Sequence, residues 1–360
     1  MIPWLKSLGA KVLFASATMP RFLQQLITEH LNEKLTIIEP DPSKPLDSEI
    51  ITKKRHTLEI ISFNLLECMD EFIERFPDKK LLIICNHVPT AQSVYKLILE
   101  GIEKGKYDID LPVLLHSRFS QQDRSDLEKT IITEQPKILI ATQVIEVSLN
   151  LDYNVCITEP APIDALIQRF GRVNRYGYRN PETVIVCRKQ VNNYPIYAES
   201  IVQKTLQSLE PLQNTVLTER SLIETADLVY ADGFDETQRE EFERALNYPD
   251  LKDFDGNTVA GVYRNWVEDV IEGTDQSIEV LPKIYHKKYL ELRKNKQWVE
   301  ANMLLVPLRI KQFSMLISKR YIERISEDEG VYVITAHYDS QIGLQISNLP
   351  KKENESAVFI

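Results

Sequence analysis

Apolar and polar positions along the chain repeat one event. A short run of large aliphatic residues ends on a polar tip, and a segment with helical spacing follows. KVLFASAT (11–18) is the first such run and FLQQLITEHL (22–31) the first helical segment. TLEIISF (57–63), KLLIICN (80–86), LPVLLHS (111–117), PKILIAT (136–142), NVCITEP (154–160) and TVIVCR (183–188) repeat it. Between them, LLECMDEFIERF (65–76) reads as an amphipathic helix stopped by Pro77, Pro89 and Thr90 start a helix through AQSVYKLILEGI, and DALIQRFGRVNRY (164–176) reads as helical. Unbroken aliphatic runs suit strands buried on both faces. The alternation therefore predicts an α/β fold, a parallel sheet in a three-layer sandwich.

The pattern changes after about residue 190. Helical spacing dominates from Ala198 to Thr274 (IVQKTLQSL, SLIETADLVYA, EEFERALNY), and strand-like pieces follow at NMLLVPLRI (302–310) and GVYVITAHY (330–338). This predicts a smaller, mostly helical α+β domain. DPSKPLDSE (41–49), with two prolines and several charges, reads as a linker. The expected division is a first strand and helix over 1–40, a linker over 41–56, the α/β lobe over 57–190 and a C-terminal domain over 191–360.

Composition narrows the function classes. In 360 residues, 43% hydrophobic and 27% charged, no apolar run is long enough to span a bilayer, and the start MIPWLKSLGAKVLF lacks a basic region before a long apolar core. The expectation is a cytoplasmic protein with no membrane partner. Four scattered cysteines form no C-x-x-C pair, and none of the six histidines is followed by Asp, so neither a zinc site nor a His-Asp metal nuclease is visible. The net charge is −10, but its distribution is uneven: Asp164 to Lys189 holds six basic residues against two acids, and Thr218 to Asp255 holds twelve acids against four bases. Charges far apart are screened, so an acidic total is compatible with a local anion-binding face.

In parallel sheets ligands collect where strands end at their carboxyl edge. SAT (16–18) ends the first run, and Thr142 stands at the tip of KILI, where a hydroxyl and nearby N–H groups suit a phosphate. Glu146, Ser148, Asn150 and Asp152 are polar positions on the segment that follows. His116, Ser117 and Arg118 share another tip; there His116 reads as a structural hydrogen-bonded residue and Arg118 as a phosphate contact. QRFGRVNR (168–175) gives the strongest signal. On a helix, Arg169, Arg172 and Arg175 lie three apart on one face, with no interleaved Glu from Gln168 to Asn180. Stacked guanidiniums repel one another, and a triphosphate is a natural partner.

Together SAT, NHVPTAQ (86–92), LHSRF (115–119), ATQVIEVSLNLD (141–152) and QRFGRVNR resemble motifs III to VI of superfamily 2 helicases. The wording N-x-V-x-x-A-Q, L-H-S-R-F followed by D-R, and A-T-Q-V-x-E-x-S-L resembles the CRISPR-associated helicase-nuclease of type I interference systems. YDSQIGLQI (338–346) is similar to that family's tail. The resemblance implies a second RecA-like lobe with a C-terminal domain. It makes Arg172 and Arg175 arginine fingers, with Gln168, Arg169, Gly171, Glu146, Asn150 and Asp152 on the nucleotide side. It assigns Asn86, Ser117, Arg118 and Thr142 to the tracking strand, and Ser16 and Thr18 to coupling ATP state to lobe movement. Two departures stand out: His87 replaces an expected threonine, and Asn150 stands where aspartate is commoner.

A motor of this kind needs a phosphate loop, G-x-x-x-x-G-K-[ST], and an acidic metal-holding motif. GIEKGKY (101–107) has its glycines too close and Tyr107 in place of Ser or Thr, and DEFI (70–73) falls inside an amphipathic helix, so both are rejected. The expectation is that the ATP-cradling lobe is absent, through a split gene or a truncated reading frame. ATP with Mg2+ would then be held mainly by another polypeptide carrying that lobe. KVLFASAT would be an orphan strand with Val12, Leu13 and Phe14 poorly covered. The implied partners are single-stranded DNA, the first-lobe polypeptide and a CRISPR RNA-guided surveillance complex. Two other readings remain: a non-catalytic nucleic-acid-binding or scaffold module, and a lobe of a DEAH-type RNA helicase.

Overall fold

The computed structural model describes residues 9, 11–16, 18–31, 36–147, 149–192, 196–234, 236–246, 277–324 and 331–351. After helices Arg21–Leu31 and Pro45–Thr52, strands and helices alternate: β1 (Lys54–Ile61), helix Leu65–Arg75, β2 (Leu81–Ile84), helix Val88–Glu103, β3 (Val113–Leu115), helix Gln121–Glu134 and β4 (Ile138–Ala141). A short helix Val144–Val147, β5 (Val155–Thr158), helix Ile163–Phe170 and β6 (Glu182–Cys187) complete the alternation. Helix Glu199–Leu209, β7 (Val216–Thr218) and helices Glu219–Val229 and Glu236–Leu246 follow. The C-terminal part holds β8 (Ser277–Pro282), helices His286–Lys294 and Trp298–Asn302, β9 (Val306–Arg309), helix Ile310–Ser318, β10 (Ile322–Arg324), β11 (Tyr332–Ile334), β12 (Tyr338–Asp339) and β13 (Gly343–Leu344).

Local chemistry sets the helix limits. Asn64 caps Leu65–Arg75 by accepting from the backbone of Leu66 and Glu67, and Glu67 reaches back to the Asn64 N–H. That helix ends at Arg75, with Phe76 as its C-cap before Pro77, as the sequence predicts. Ser120 caps Gln121–Glu134, and Gln135 ends it in the left-handed region at φ 47°.

Two compact units divide the chain. The first comprises residues 1–62, 160–188 and 197–270; the second comprises 63–159, 189–196 and 271–360. In the first, β1 pairs in parallel with β6, from His56 opposite Glu182 to Ile61 opposite Cys187, and antiparallel with β7. β7 lies in the stretch where helical spacing dominates. Three residues are too few for a period to show, and β1 recruits them as an edge. The other helices expected there are present to Leu246, and residues 247–276 lie outside the described ones.

In the second unit four parallel strands run in the order β3-β4-β2-β5. β2, β4 and β5 are buried along their whole length, the double-sided burial that their aliphatic runs predict. The fold is α/β and mostly parallel. The same unit holds a four-stranded sheet, β10-β11-β8-β9, and the β12-β13 hairpin. Val306, Leu308, Phe313, Leu316, Tyr338 and Leu344 form part of its core.

Two expectations need correction. Residues 11–16 of KVLFASAT form no strand, and Leu13 is 85% exposed. An aliphatic run becomes a strand only where a neighbour completes its hydrogen-bond ladder, and among the described residues none does. The stretch 164–176 is not one helix; it ends at Phe170.

Candidate functional site

The carboxyl edge of β3, β4, β2 and β5 carries most of the strand-tip residues, and the fold of the second unit ties them together. The Thr142 N–H donates to the Leu115 carbonyl at 3.2 Å, joining the ends of β4 and β3. Asn86, two residues past the end of β2, is buried; its carbonyl accepts from Gln143 Nε2 at 2.9 Å. The Asn86 N–H donates to Glu159 Oε2 at 2.6 Å, and Glu159 Oε1 accepts from the Val191 N–H at 2.8 Å. Glu159 is fully buried and follows β5 directly. Sequence reasoning passed over Glu159 and Gln143. The signal for Glu159 was a carboxylate at the end of an unbroken apolar strand, where only a charge with dedicated donors survives burial.

The L-H-S-R-F tip is bound to the tail of the chain. His116 is fully buried, stacks on Phe119 with centroids 4.5 Å apart, and donates from Nε2 to the Ile342 carbonyl at 3.0 Å. Its Nδ1 accepts from the Arg118 N–H at 3.1 Å, which fixes a neutral ring. Burial, with the Arg118 charge adding to it, pushes His116 down to about 3. The Leu344 N–H donates to the Arg118 carbonyl at 2.9 Å. Gln92 Nε2 donates to the carbonyls of Ile342 and Leu344, Ser120 N–H donates to the Tyr338 hydroxyl, and Tyr338 donates to Asp123. The signature letters N-x-V-x-x-A-Q, L-H-S-R-F and D-R thus engage Y-D-S-Q-I-G-L. The structural reading of His116 holds. Ser117 is exposed, Arg118 and Glu146 are half-buried, Asn150 is exposed and Asp152 half-buried. Ser148 lies outside the described residues.

The arginine segment belongs to the first unit and is organised differently. Ile163–Phe170 holds Gln168, half-buried, and Arg169, fully buried, whose Nη2 donates to the Tyr197 hydroxyl at 3.2 Å. Beyond it the chain leaves the helix by tight turns: Arg172 N–H donates to the Arg169 carbonyl and Val173 N–H to the Phe170 carbonyl. Asn174 then adopts φ 43°, and its side-chain amide donates to the carbonyls of Arg55, Arg179 and Asn180. Arg172 and Arg175 therefore lie on a turn, not on a helical face shared with Arg169. Burying Phe170 and Val173 and turning at Gly171 and Asn174 outweigh helical continuation. Arg55 Nη1 donates to the Arg175 carbonyl at 3.1 Å, and buried His56 donates from Nε2 to the Val173 carbonyl at 2.8 Å. Burial, with Arg55 adjoining, pushes His56 down to about 4. Sequence reasoning also passed over Arg55, His56 and Asn174.

Gly171, Arg172 and Arg175 are half-buried, so by charge and access Arg172 and Arg175, with Gln168, fit a polyphosphate. Buried Arg169 accepts at its backbone carbonyl from the Arg172 N–H, and its guanidinium is tied to Tyr197. Ser16 and Thr18 form a local turn, the Ser16 hydroxyl donating to the Thr18 carbonyl at 2.7 Å and accepting from its N–H. Both rejected near-misses sit in helices or their ends. Asp70 and Glu71 lie within Leu65–Arg75, and Tyr107 packs over Gly101 and donates to Asp70. No helix among the described residues is long and apolar enough to cross a membrane.

Residues 77–178 match the family described as "CRISPR-associated nuclease/helicase Cas3, C-terminal". The chain is 26% identical over 284 residues to the CRISPR-associated nuclease/helicase Cas3 of Methanothermobacter thermautotrophicus, covering 73% of this chain and 30% of that protein. The chain thus spans under a third of that relative. In fold it is similar to T. fusca Cas3-ADP, with TM-score 0.60 and 18% identity over 82% of this chain and 43% of that one. It is also similar to a chain of a CRISPR RNA-guided surveillance complex, pre-nicking, with TM-score 0.51 and 16% identity over 90% and 51%. These likenesses, with the family match confined to residues 77–178, support reading the chain as a C-terminal portion of a CRISPR-associated Cas3 helicase.

Proposed function

We propose that the chain is the C-terminal part of an ATP-dependent DNA helicase or translocase of CRISPR interference, working with a polypeptide that supplies the first RecA-like lobe. The observation that carries this reading is the cluster of Asn86, Thr142 and the Ser117–Arg118 tip on adjacent parallel strand ends, inside the segment that matches the family. Phosphates of single-stranded DNA suit these residues: Thr142 and Ser117 offer hydroxyls, Asn86 an amide, and Arg118 a charge.

Arg172 and Arg175 act as arginine fingers from their turn, with Gln168 and Gly171 beside them. Glu146, Asn150 and Asp152 take the sugar and base side of the nucleotide. Bound ATP with Mg2+ supplies the free energy of phosphoanhydride cleavage. This chain's own residues orient the terminal phosphate's oxygens and offset their charge, while buried Arg169 and His56 hold the turn still. Ser16 and Thr18 belong to the coupling segment. The domain limits proposed are 1–40, 41–56, 57–190 and 191–360. A surveillance complex is the proposed delivery partner, and the fold shared with a chain of such a complex supports it.

The 360 residues hold no phosphate loop, so the purified chain is expected to hydrolyse ATP only when a first-lobe polypeptide is added. Phosphate release is measured with single-stranded DNA or RNA, with and without that polypeptide. Robust turnover by the chain alone overturns the two-polypeptide reading. Stimulation by RNA but not DNA replaces it with an RNA-helicase lobe.

A further inference from the structure

A second basic stretch lies in the C-terminal part of the chain. From Lys283 to Trp298 there are six Lys and Arg residues against one acid, Glu291, in a chain of net charge −10. Of the six, only Lys283 pairs with a carboxylate among the described residues, reaching Glu323 at 3.8 Å. Lys287, Lys288 and Lys294 stand exposed on helix His286–Lys294, and Lys296 is exposed just beyond it. Lys296 also holds a left-handed backbone at φ 59°, at the place after a helix that favours glycine. A lysine there carries a backbone cost that glycine avoids, and it adds one more charge to the surface.

The aromatic beside these charges is held in place. The Arg293 guanidinium lies 4.3 Å from the centroid of the Trp298 ring and 5.8 Å from that of buried Tyr289. Arg293 thus backs the indole, while Trp298 stays 47% exposed and Val299 beside it 72% exposed. A guanidinium-backed, exposed indole set among lysines suits a flat base with phosphates on either side. An acidic helix of a partner protein would answer the lysines and leave the ring without a flat counterpart. The patch also continues from the strand tips within the second unit. Met303, which closes helix Trp298–Asn302, accepts from the Gln122 N–H at 2.8 Å, and the Tyr285 hydroxyl donates to Asp123. Gln122 and Asp123 open the helix capped by Ser120, two residues past Arg118.

We propose that Trp298 stacks on a base of single-stranded DNA while Lys287 and Lys294, two turns apart on one helical face, take phosphates of the same strand. This rests on the DNA-binding reading given above. It extends that reading to a basic, aromatic platform outside the strand-tip motifs.

The test is fluorescence anisotropy of labelled oligothymidylate with the full chain across a sodium chloride series, beside an abasic oligonucleotide of equal length and with polyglutamate as competitor. Trp298→Ala is expected to weaken oligothymidylate binding about fivefold or more, with an unchanged salt slope and no loss on the abasic strand. Trp298→Phe, which keeps an aromatic face, should recover most of that loss. Oligothymidylate should also quench the emission that the parent has and Trp298→Phe lacks. Lys287→Gln combined with Lys294→Gln, both on exposed positions, should reduce the salt slope by about 1.4, two single-strand phosphate contacts. Lys104→Gln, at an exposed lysine paired with Glu100 on another helix of the same unit, should stay within about twofold. Parent affinity in Trp298→Ala, whatever the lysine variant does, overturns the platform and leaves the strand-tip reading standing. Absence of oligothymidylate binding by the parent chain overturns both. Equal affinity of the parent for the abasic strand and oligothymidylate, with displacement by polyglutamate, overturns base stacking in favour of an acidic protein partner.

Discussion

The β3–β4–β2–β5 edge of the second unit and the arginine turn of the first share one device and use it differently. Each pins a candidate loop with a buried neutral histidine donating to a backbone carbonyl, His116 to Ile342 and His56 to Val173. At the strand edge the clamp joins the L-H-S-R-F tip to the chain's own tail, more than 200 residues away in sequence. At the arginine turn it joins β1 to a loop and leaves Arg172 and Arg175 half-buried beside it. Signature residues thus divide into those that build the loop and those the loop presents. Sequence similarity alone does not separate the two sets.

The widest separation should come from activity. Arg172→Gln or Arg175→Gln, assayed with a first-lobe polypeptide, is expected to lower ATP turnover by about 10³-fold or more while leaving the melting temperature unchanged. A drop matched by unfolding would move these arginines into the building set. Glu159→Ala should act in the opposite sense. It strands the Asn86 and Val191 N–H groups, and urea titration should show a loss on the order of 3–5 kcal/mol. Glu159→Gln should recover part of it, and a neutral result for both would remove Glu159 from the scaffold.

Acidification should strain both clamps. Each folded histidine value lies below the ordinary one near 6.5, so the unfolded chain takes up protons first. The contribution of each clamp is intact above about pH 6.5. It falls progressively toward pH 4 for His56, on the order of 3 kcal/mol, and toward pH 3 for His116, on the order of 5 kcal/mol. His56→Gln and His116→Gln should each flatten the stability-against-pH curve in its own window, and unchanged slopes would break the parallel between the regions.

Gly343→Ala should cost about 2 kcal/mol. It combines a left-handed backbone with a Cβ 2.6 Å from the His116 ring, and it should weaken DNA binding with it. Asn174→Ala, which removes three amide bonds to carbonyls, should cost a similar or slightly smaller amount in thermal unfolding. Its effect should fall on the arginine turn and leave oligonucleotide affinity alone. Loss of DNA binding in Asn174→Ala would show that the two sets are not independent.

The sequence by itself determined the aliphatic strands and their polar tips, because double-sided burial in a parallel sheet requires unbroken runs such as LLII and ILIA. It also determined the motif order, the end of helix Leu65–Arg75 before Pro77 and the failure of GIEKGKY as a phosphate loop. Tertiary structure decided where helix 163–170 stops. The spacing of Arg169, Arg172 and Arg175 fits a helix equally well, and the burial of Val173, the His56 bond to its carbonyl and the three carbonyls around Asn174 redirected the chain. It decided that KVLF forms no strand, since a ladder is a property of two segments. It also decided that Gln92, His116 and Asp123 hold the tail, because bonds between residues more than 200 positions apart have no period to betray them. Local propensity is written residue by residue, whereas the choice between building a loop and being presented by it is settled only when distant segments meet.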